Sequence, residues 1–176
     1  NRAPYDQHTL NRFLEAQRPV YDQVLWELRS GLKMTHWIWF IFPQIKGLGS
    51  SAMSRQYSIS SLEEAMAYLD HHILGPRLLE CTALVTDVCD RTIKRILGPT
   101  DCEKFQSSMT LFSRATTENQ TFEGALDRYF SSQVDQFTIQ ILEALSGTVG
   151  FPEGTNHRQP NLQRRTIHGS QQAGQT

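Results

Sequence analysis

The sequence predicts an all-α protein, a single compact domain of seven or eight short helices with one irregular, buried segment rich in tryptophan. Apolar residues recur every three or four positions along most of the chain, whereas the alternation typical of strands is weak everywhere. The chain has 176 residues. Without its polar end it keeps about 145 residues, which bury roughly two-thirds of the unfolded chain's surface, so one domain accounts for it.

The first two helices are predicted on either side of Pro19, because proline disfavours a continuous helix. Thr9 is a residue type that caps helices, and Gly31 is typical of a helix end. Helical spacing is kept by Leu10, Phe13, Leu14 and Gln17, and again by Tyr21, Val24, Leu25 and Leu28.

The stretch from Lys33 to Gln44, which we call the Trp-rich segment, reads Lys-Met-Thr-His-Trp-Ile-Trp-Phe-Ile-Phe-Pro-Gln. Its residues would be apolar on both faces of a strand. The apolar run ends at Pro43, and the glycine-containing loop 47–51 follows. The segment therefore predicts a buried passage that is extended or irregular.

Six further helices are predicted downstream. Ser61 stands three positions before Glu64, which is the spacing of a capping box, and an apolar stripe follows it to about Asp70. The other five run from Pro76 to Val88, from Thr92 to Leu97, from Cys102 to about Phe112 with Asp101 as its cap, from Phe122 to Phe130, and from Gln136 to Leu145.

The polar end of the chain predicts a division into a helical domain, residues 1–145, and a disordered tail, residues 146–176. The tail contains five glycines and two prolines and almost no periodic apolar positions. Burial there cannot offset the entropy lost on ordering the backbone.

The net charge of −1 gives the protein no electrostatic reason to bind long polyanions, so nucleic acid is not an expected partner. The longest apolar run, Trp37 to Phe42, is far shorter than a bilayer crossing requires. The amino-terminal residues lack a basic stretch followed by an apolar one. These features predict a cytoplasmic protein that does not span a membrane.

Cys81, Cys89 and Cys102 are odd in number, lack CxxC spacing and have no pair of histidines nearby. The pattern favours neither a disulfide framework nor a metal site. We expect three buried, inert thiols, with no bound metal and no cofactor.

Chemistry-bearing groups are densest in the Trp-rich segment, where Lys33, His36, Trp37, Trp39 and Gln44 place a cation, an imidazole, two indoles and an amide close together. Indole rings stack on nucleobases, and the polar groups suit phosphate or ribose at the rim of a pocket. The alternative is that the rings are core and the imidazole satisfies a buried carbonyl.

Two further regions contribute candidate ligand-binding residues. The loop 47–51 offers backbone N–H groups that glycine lets a phosphate approach, although its spacing matches no nucleotide-binding motif. The predicted helix from residue 101 carries hydroxyls beside a lysine, a pattern that an ordinary capped helix also shows. The candidates are Gly49 and Ser51 in the loop, Asp101, Lys104, Ser107, Ser108 and Thr110 on the helix, and Arg77 as a second edge of the same pocket.

Several sequence motifs, taken together, resemble the family known as domain of unknown function 1810, and the resemblance extends from about Leu10 to Leu145. The motifs are Phe13-Leu-Glu-Ala-Gln17, His36-Trp-Ile-Trp-Phe-Ile-Phe-Pro-Gln44, Gly47-Leu-Gly49, Leu74-Gly-Pro-Arg-Leu78 and Lys104-Phe-Gln-Ser-Ser-Met-Thr-Leu-Phe112. The resemblance implies an all-helical domain and no settled reaction.

A fainter resemblance links Phe13 to Gln17 and Lys104-Phe105 to the NADAR group, whose members are associated with ADP-ribose and N-glycosidic hydrolysis. It implies a small, nucleotide-like ligand and makes Glu15 the candidate catalytic carboxylate. Glu15 is also our first choice for an acid beside the Trp-rich segment, on the same helix as Gln17. The alternative function is a noncatalytic domain that binds a small molecule or a protein.

Overall fold

The computed structural model describes residues 7–147, and ten helices lie in that range. The helices are α1 (Gln7–Gln17), α2 (Tyr21–Arg29), α3 (Ile38–Ile41), α4 (Ala52–Gln56), α5 (Leu62–Asp70), α6 (Leu74–Thr86), α7 (Ile93–Leu97), α8 (Asp101–Ala115), α9 (Gln120–Phe130) and α10 (Gln136–Ser146). The all-α class is confirmed. The predicted tail, apart from its first two residues, lies outside the described residues.

The helix count differs from the predicted seven or eight because two helices are very short. Helix α3, in the Trp-rich segment, has four residues, and α4, after the loop, has five. Neither length is enough for an apolar stripe to repeat, so no period marks them in the sequence.

Several helix ends differ from the predicted bounds by one to three residues, and Thr9, predicted as a cap, lies inside α1. Pro76 lies inside the first turn of α6, where its missing N–H needs no intrahelical acceptor, so the helix begins at Leu74. Asp101 is the first residue of α8 and does not cap it, because its carboxylate is used by lysine side chains. Ser61 caps α5 as predicted, accepting from the backbone N–H of Glu64 at 3.1 Å.

Helix α8 lies at the centre of the domain and packs against α3, α5, α7, α9 and α10. Its Phe105 meets Phe42 of the Trp-rich segment edge to face, with ring centroids 4.9 Å apart. Two turns further along α8, Phe112 contacts Tyr68 of α5 and Phe122 of α9. These rings are fully buried, and they connect the Trp-rich segment to the rest of the core.

The start of the Trp-rich segment is held by a carboxylate with no solvent exposure, that of Glu27 on α2. Its Oε1 accepts from the backbone N–H groups of Met34, at 2.7 Å, and Thr35, at 2.6 Å. Its Oε2 accepts from the Thr35 hydroxyl at 3.0 Å and from the Trp37 indole N–H. Four donors thus compensate for removing this charge from water.

The end of the Trp-rich segment is held by backbone pairing. Ile45 forms an isolated parallel bridge with Ile59, in which the Ile59 N–H donates to Gln44 and the Lys46 N–H donates to Ile59, both at 2.8 Å. Arg12 of α1 then donates to the carbonyl of Ser58 at 2.8 Å. The loop and α4 are therefore closed into one unit against α1.

The prediction of three buried thiols is wrong for Cys89, which is exposed, and agrees with the burial of Cys81 and Cys102. Burial raises the pKa of the Cys81 thiol to about 12, so this thiol stays protonated at neutral pH. Over residues 7–147, no helix combines the length and apolar composition that a bilayer crossing needs.

Candidate functional site

A cleft of about 730 Å³ opens where the Trp-rich segment, the loop before α4, the first half of α8 and the start of α10 meet. This volume is in the range of pockets that hold small ligands. The cleft is lined by Trp39, Gln44, Leu48, Gly49, Ser50, Ser51, Ser54, Thr100, Glu103, Lys104, Gln106, Ser107, Asp135 and Phe137.

The wall formed by the loop depends on a glycine for its shape. A Cβ at Gly49 would lie 2.4 Å from both the Cβ and the Oγ of Ser54 on α4. Ser51 caps α4, since its Oγ accepts from the backbone N–H of Ser54 at 3.1 Å. The loop therefore lies directly against the first turn of α4, and three serines border one side of the cleft.

The α8 wall carries the positive charge that lines the cleft among the described residues. Lys33 forms a close ion pair with Asp101, with Nζ and Oδ2 2.8 Å apart. Lys104 is only 3.7 Å from the other oxygen of the same carboxylate. Because the shorter contact already serves Asp101, the Lys104 ammonium can turn toward an anionic group in the cleft.

The α10 wall is tied to α8 by Asp135. Its Oδ2 accepts from the Ser107 hydroxyl at 3.0 Å and from the Thr138 backbone N–H at 3.1 Å, so it caps α10. Its own backbone N–H donates to the Thr110 hydroxyl at 2.9 Å. These bonds fix the first turn of α10 at the edge of the cleft.

Six of the predicted ligand-binding residues do meet in this cleft. They are Trp39, Gln44, Gly49, Ser51, Lys104 and Ser107. Trp39 is half-buried, so part of its indole remains open to a ligand. The structure thus brings residues of the Trp-rich segment, the loop and the helix from residue 101 to one cleft, and their role in binding a ligand stays a prediction.

Five other predicted residues do not line the cleft and instead make contacts within the protein or are buried. They are Lys33, Trp37, Asp101, Ser108 and Thr110. The Lys33 side chain is 7% exposed and its Nζ lies 5.1 Å from the centre of the Trp37 ring, which is core. The Asp101 carboxylate forms ion pairs with Lys33 and Lys104. Thr110 is buried, and its hydroxyl accepts from the Asp135 backbone N–H. Ser108 is also buried, and its hydroxyl has no hydrogen-bond partner among the described residues.

His36, Arg77 and Glu15 do not line the cleft. His36 and Glu15 are exposed on other parts of the surface. The Arg77 guanidinium lies 4.2 Å from the centre of the Tyr21 ring and donates to Gln17 Oε1 at 3.3 Å. The predicted second edge of the pocket is therefore formed by α10 and not by Arg77.

Sequence reasoning missed both acids of the cleft, Glu103 and Asp135, and the aromatic residue Phe137. The Glu103 carboxylate is exposed and forms no ion pair or hydrogen bond within residues 7–147. Asp135 was detectable as a capping residue one position before a predicted helix. Nothing local marks Phe137, because only the docking of α10 on α8 brings it to the cleft.

Alanine at Ser108 is expected to leave the free energy of unfolding unchanged or to raise it by up to about 1 kcal/mol, because the variant removes a buried hydroxyl that has no partner. Alanine at the adjacent Ser107 is expected to lower it by about 1 kcal/mol, because Asp135 loses a donor. Urea unfolding of the two variants measures the difference. An equal loss at both positions would contradict the distinction between them.

The fold and the cleft together define a small all-α domain with a polar, aromatic-edged site at the meeting point of four chain segments. The chain belongs to the family described as protein of unknown function (DUF1810), which matches residues 7–142. The matched family is not the NADAR group, so that fainter resemblance stays a prediction.

A solved structure supports the assignment. The chain is 54% identical to the conserved hypothetical protein Rv1873 from Mycobacterium tuberculosis, whose crystal structure was determined at 1.38 Å, with a TM-score of 0.77. The match covers 78% of this chain and 98% of that one. Among curated proteins none matches this sequence.

Proposed function

We propose that the protein binds a small, nucleotide-like ligand in the cleft. The observation that carries the proposal is the meeting of a half-buried indole, Trp39, with the Lys104 ammonium and the serine-bordered loop in a volume of about 730 Å³. An indole stacks on a base, and hydroxyls and amides bind a ribose. The lysine side chain suits a phosphate.

The charges of the lining restrict the ligand further. One lysine, Lys104, faces two carboxylates, those of Glu103 and Asp135. A ligand with several phosphates would meet repulsion that one ammonium does not offset. The lining therefore favours a nucleoside or a nucleoside monophosphate over nucleoside diphosphates and triphosphates, whose negative charge is higher.

Hydrolysis of an N-glycosidic bond is the second candidate function, and the carboxylate of Glu103 favours it. In this reaction the carboxylate takes a proton from water while the water oxygen bonds to the sugar carbon. The bond from that carbon to nitrogen breaks, and the leaving nitrogen receives a proton. Glu15 lies outside the cleft, so Glu103 is the better candidate for this role.

Binding is tested by calorimetry with adenosine, AMP, ADP-ribose and NAD. We expect AMP to bind, and we expect Trp39→Leu to weaken it at least about fivefold, because stacking on one ring contributes about 1–3 kcal/mol. Trp26→Leu is the matched control, since Trp26 is 54% exposed on α2 and outside the cleft. Absence of binding for all four compounds would favour a noncatalytic protein-binding domain.

The catalytic question needs a separate measurement on any compound that binds. If the bound nucleoside is cleaved, Glu103→Gln is expected to keep its affinity and to lower turnover about 10² to 10⁴-fold, the usual contribution of a general base. Glu15→Gln is expected to keep turnover. Release of free base, followed by chromatography, measures both, and full turnover by the Glu103 variant would remove this residue from the mechanism.

A further inference from the structure

Phe137 is the most exposed of the large apolar side chains in the described residues, at 69%. It lies in the first turn of α10 and lines the cleft that also contains Trp39. An exposed phenyl ring gains free energy when a ligand removes it from water. Its position at the cleft makes a small ligand the natural occupant.

The exposure of Phe137 does not come from loose packing of this turn. Thr138, the next residue, is fully buried, and its hydroxyl donates to Asp135 Oδ2 at 2.5 Å. Asp135 is itself bonded to Ser107 and Thr110 of α8. The phenyl ring is therefore carried by a turn that is fixed on both sides.

We propose that Phe137 and Trp39 form a pair of rings that receives a planar aromatic group between them, and that this pair selects ligands by the size of that group. The inference rests on the proposed function of the cleft. Stacking on an aromatic residue is gained by any base that has a π-face, and a larger ring system offers more contact. A purine is therefore preferred over a pyrimidine, and a sugar phosphate without a base gains nothing from the pair.

The test measures the dissociation constants of AMP, UMP and ribose 5-phosphate for the parent protein and for Phe137→Ala. We expect the parent to bind AMP more tightly than UMP. The variant should bind AMP at least about fivefold more weakly, UMP should weaken less, and ribose 5-phosphate should not change. The matched control is Leu145→Ala, on the same helix, 57% exposed and outside the cleft.

The outcomes separate this inference from the function on which it rests. If the parent binds AMP and Trp39→Leu weakens it but Phe137→Ala does not, the ring pair is wrong and the cleft assignment stands. Equal weakening of AMP and ribose 5-phosphate by Phe137→Ala also overturns the ring pair, since a base-free ligand cannot stack. If the parent binds none of these three compounds and also none of adenosine, ADP-ribose and NAD, both proposals fail together.

Discussion

Alanine at Glu27 is expected to lower the free energy of unfolding by about 3–5 kcal/mol, because four hydrogen bonds to a charged acceptor are lost and only the cost of burying the carboxylate is recovered. The variant leaves four donors without their acceptor, and one of them, the Trp37 indole N–H, is buried away from water. The carboxylate also lies near the C-terminal end of α2, where the helix dipole disfavours a negative charge. Only those donors make its burial tolerable.

Urea unfolding followed by tryptophan fluorescence measures this loss, because Trp37 is buried in the folded protein. Glu27→Gln keeps one oxygen but turns an amide N–H toward a group that also donates, so we expect an intermediate loss of about 1–3 kcal/mol. Glu118→Ala is the control, since Glu118 is exposed in the segment between α8 and α9. Equal stability of the Glu27 and Glu118 variants would show that the carboxylate does not hold the Trp-rich segment.

The second large effect is expected at Gly75, in the first turn of α6. A Cβ there would lie 2.0 Å from the backbone carbonyl oxygen of Leu69 and 2.9 Å from its carbon. Both atoms are backbone, so α5 and α6 must move apart to admit a methyl group. We expect Gly75→Ala to lower the free energy of unfolding by about 3 kcal/mol, the upper end of the usual cost of overpacking.

Gly124 in α9 provides the matched control, because a Cβ at that position meets no atom within 4 Å. Alanine is the better helix former, so Gly124→Ala is expected to raise the free energy of unfolding by up to about 1 kcal/mol. Thermal and urea unfolding of both variants should give changes of opposite sign. A Gly75→Ala protein as stable as the parent would show that α6 does not need this close approach.

The helices were predictable because their determinants are local. In α8, Phe105, Met109 and Phe112 recur at the three- and four-residue spacing of one helix face, and all three are buried without solvent exposure. Helices α3 and α4 were not predictable, since each is little more than one turn, whereas the equally short α7 is followed in the sequence by Gly98-Pro99, which marks its end. The cap of α4, Ser51, was proposed for ligand binding when its local role is structural as well.

The candidate site was predictable only in part, because local composition indicates which residues suit a pocket but not how distant segments meet. Trp39, Gln44 and Lys104 were chosen because polar groups among apolar ones suggest a pocket, and all three line the cleft. Arg77 was added as a second edge of the pocket because a turn was expected at Gly75-Pro76, yet its guanidinium lies against Tyr21 and Gln17. A cation on a half-buried helix face has several possible partners, and its spacing does not choose among them.

The sequence by itself determined the helical class, most helix positions and the region of the cleft, because periodicity, caps and composition act within a few residues. Only the tertiary structure decided which indole is core and which is open. Trp37 is buried and Trp39 lines the cleft, because residues two apart in a helical turn point in nearly opposite directions. The tertiary structure also brought Asp135 and Phe137 to the cleft. That placement depends on how α10 docks on α8, a contact between distant parts of the chain that no local pattern encodes.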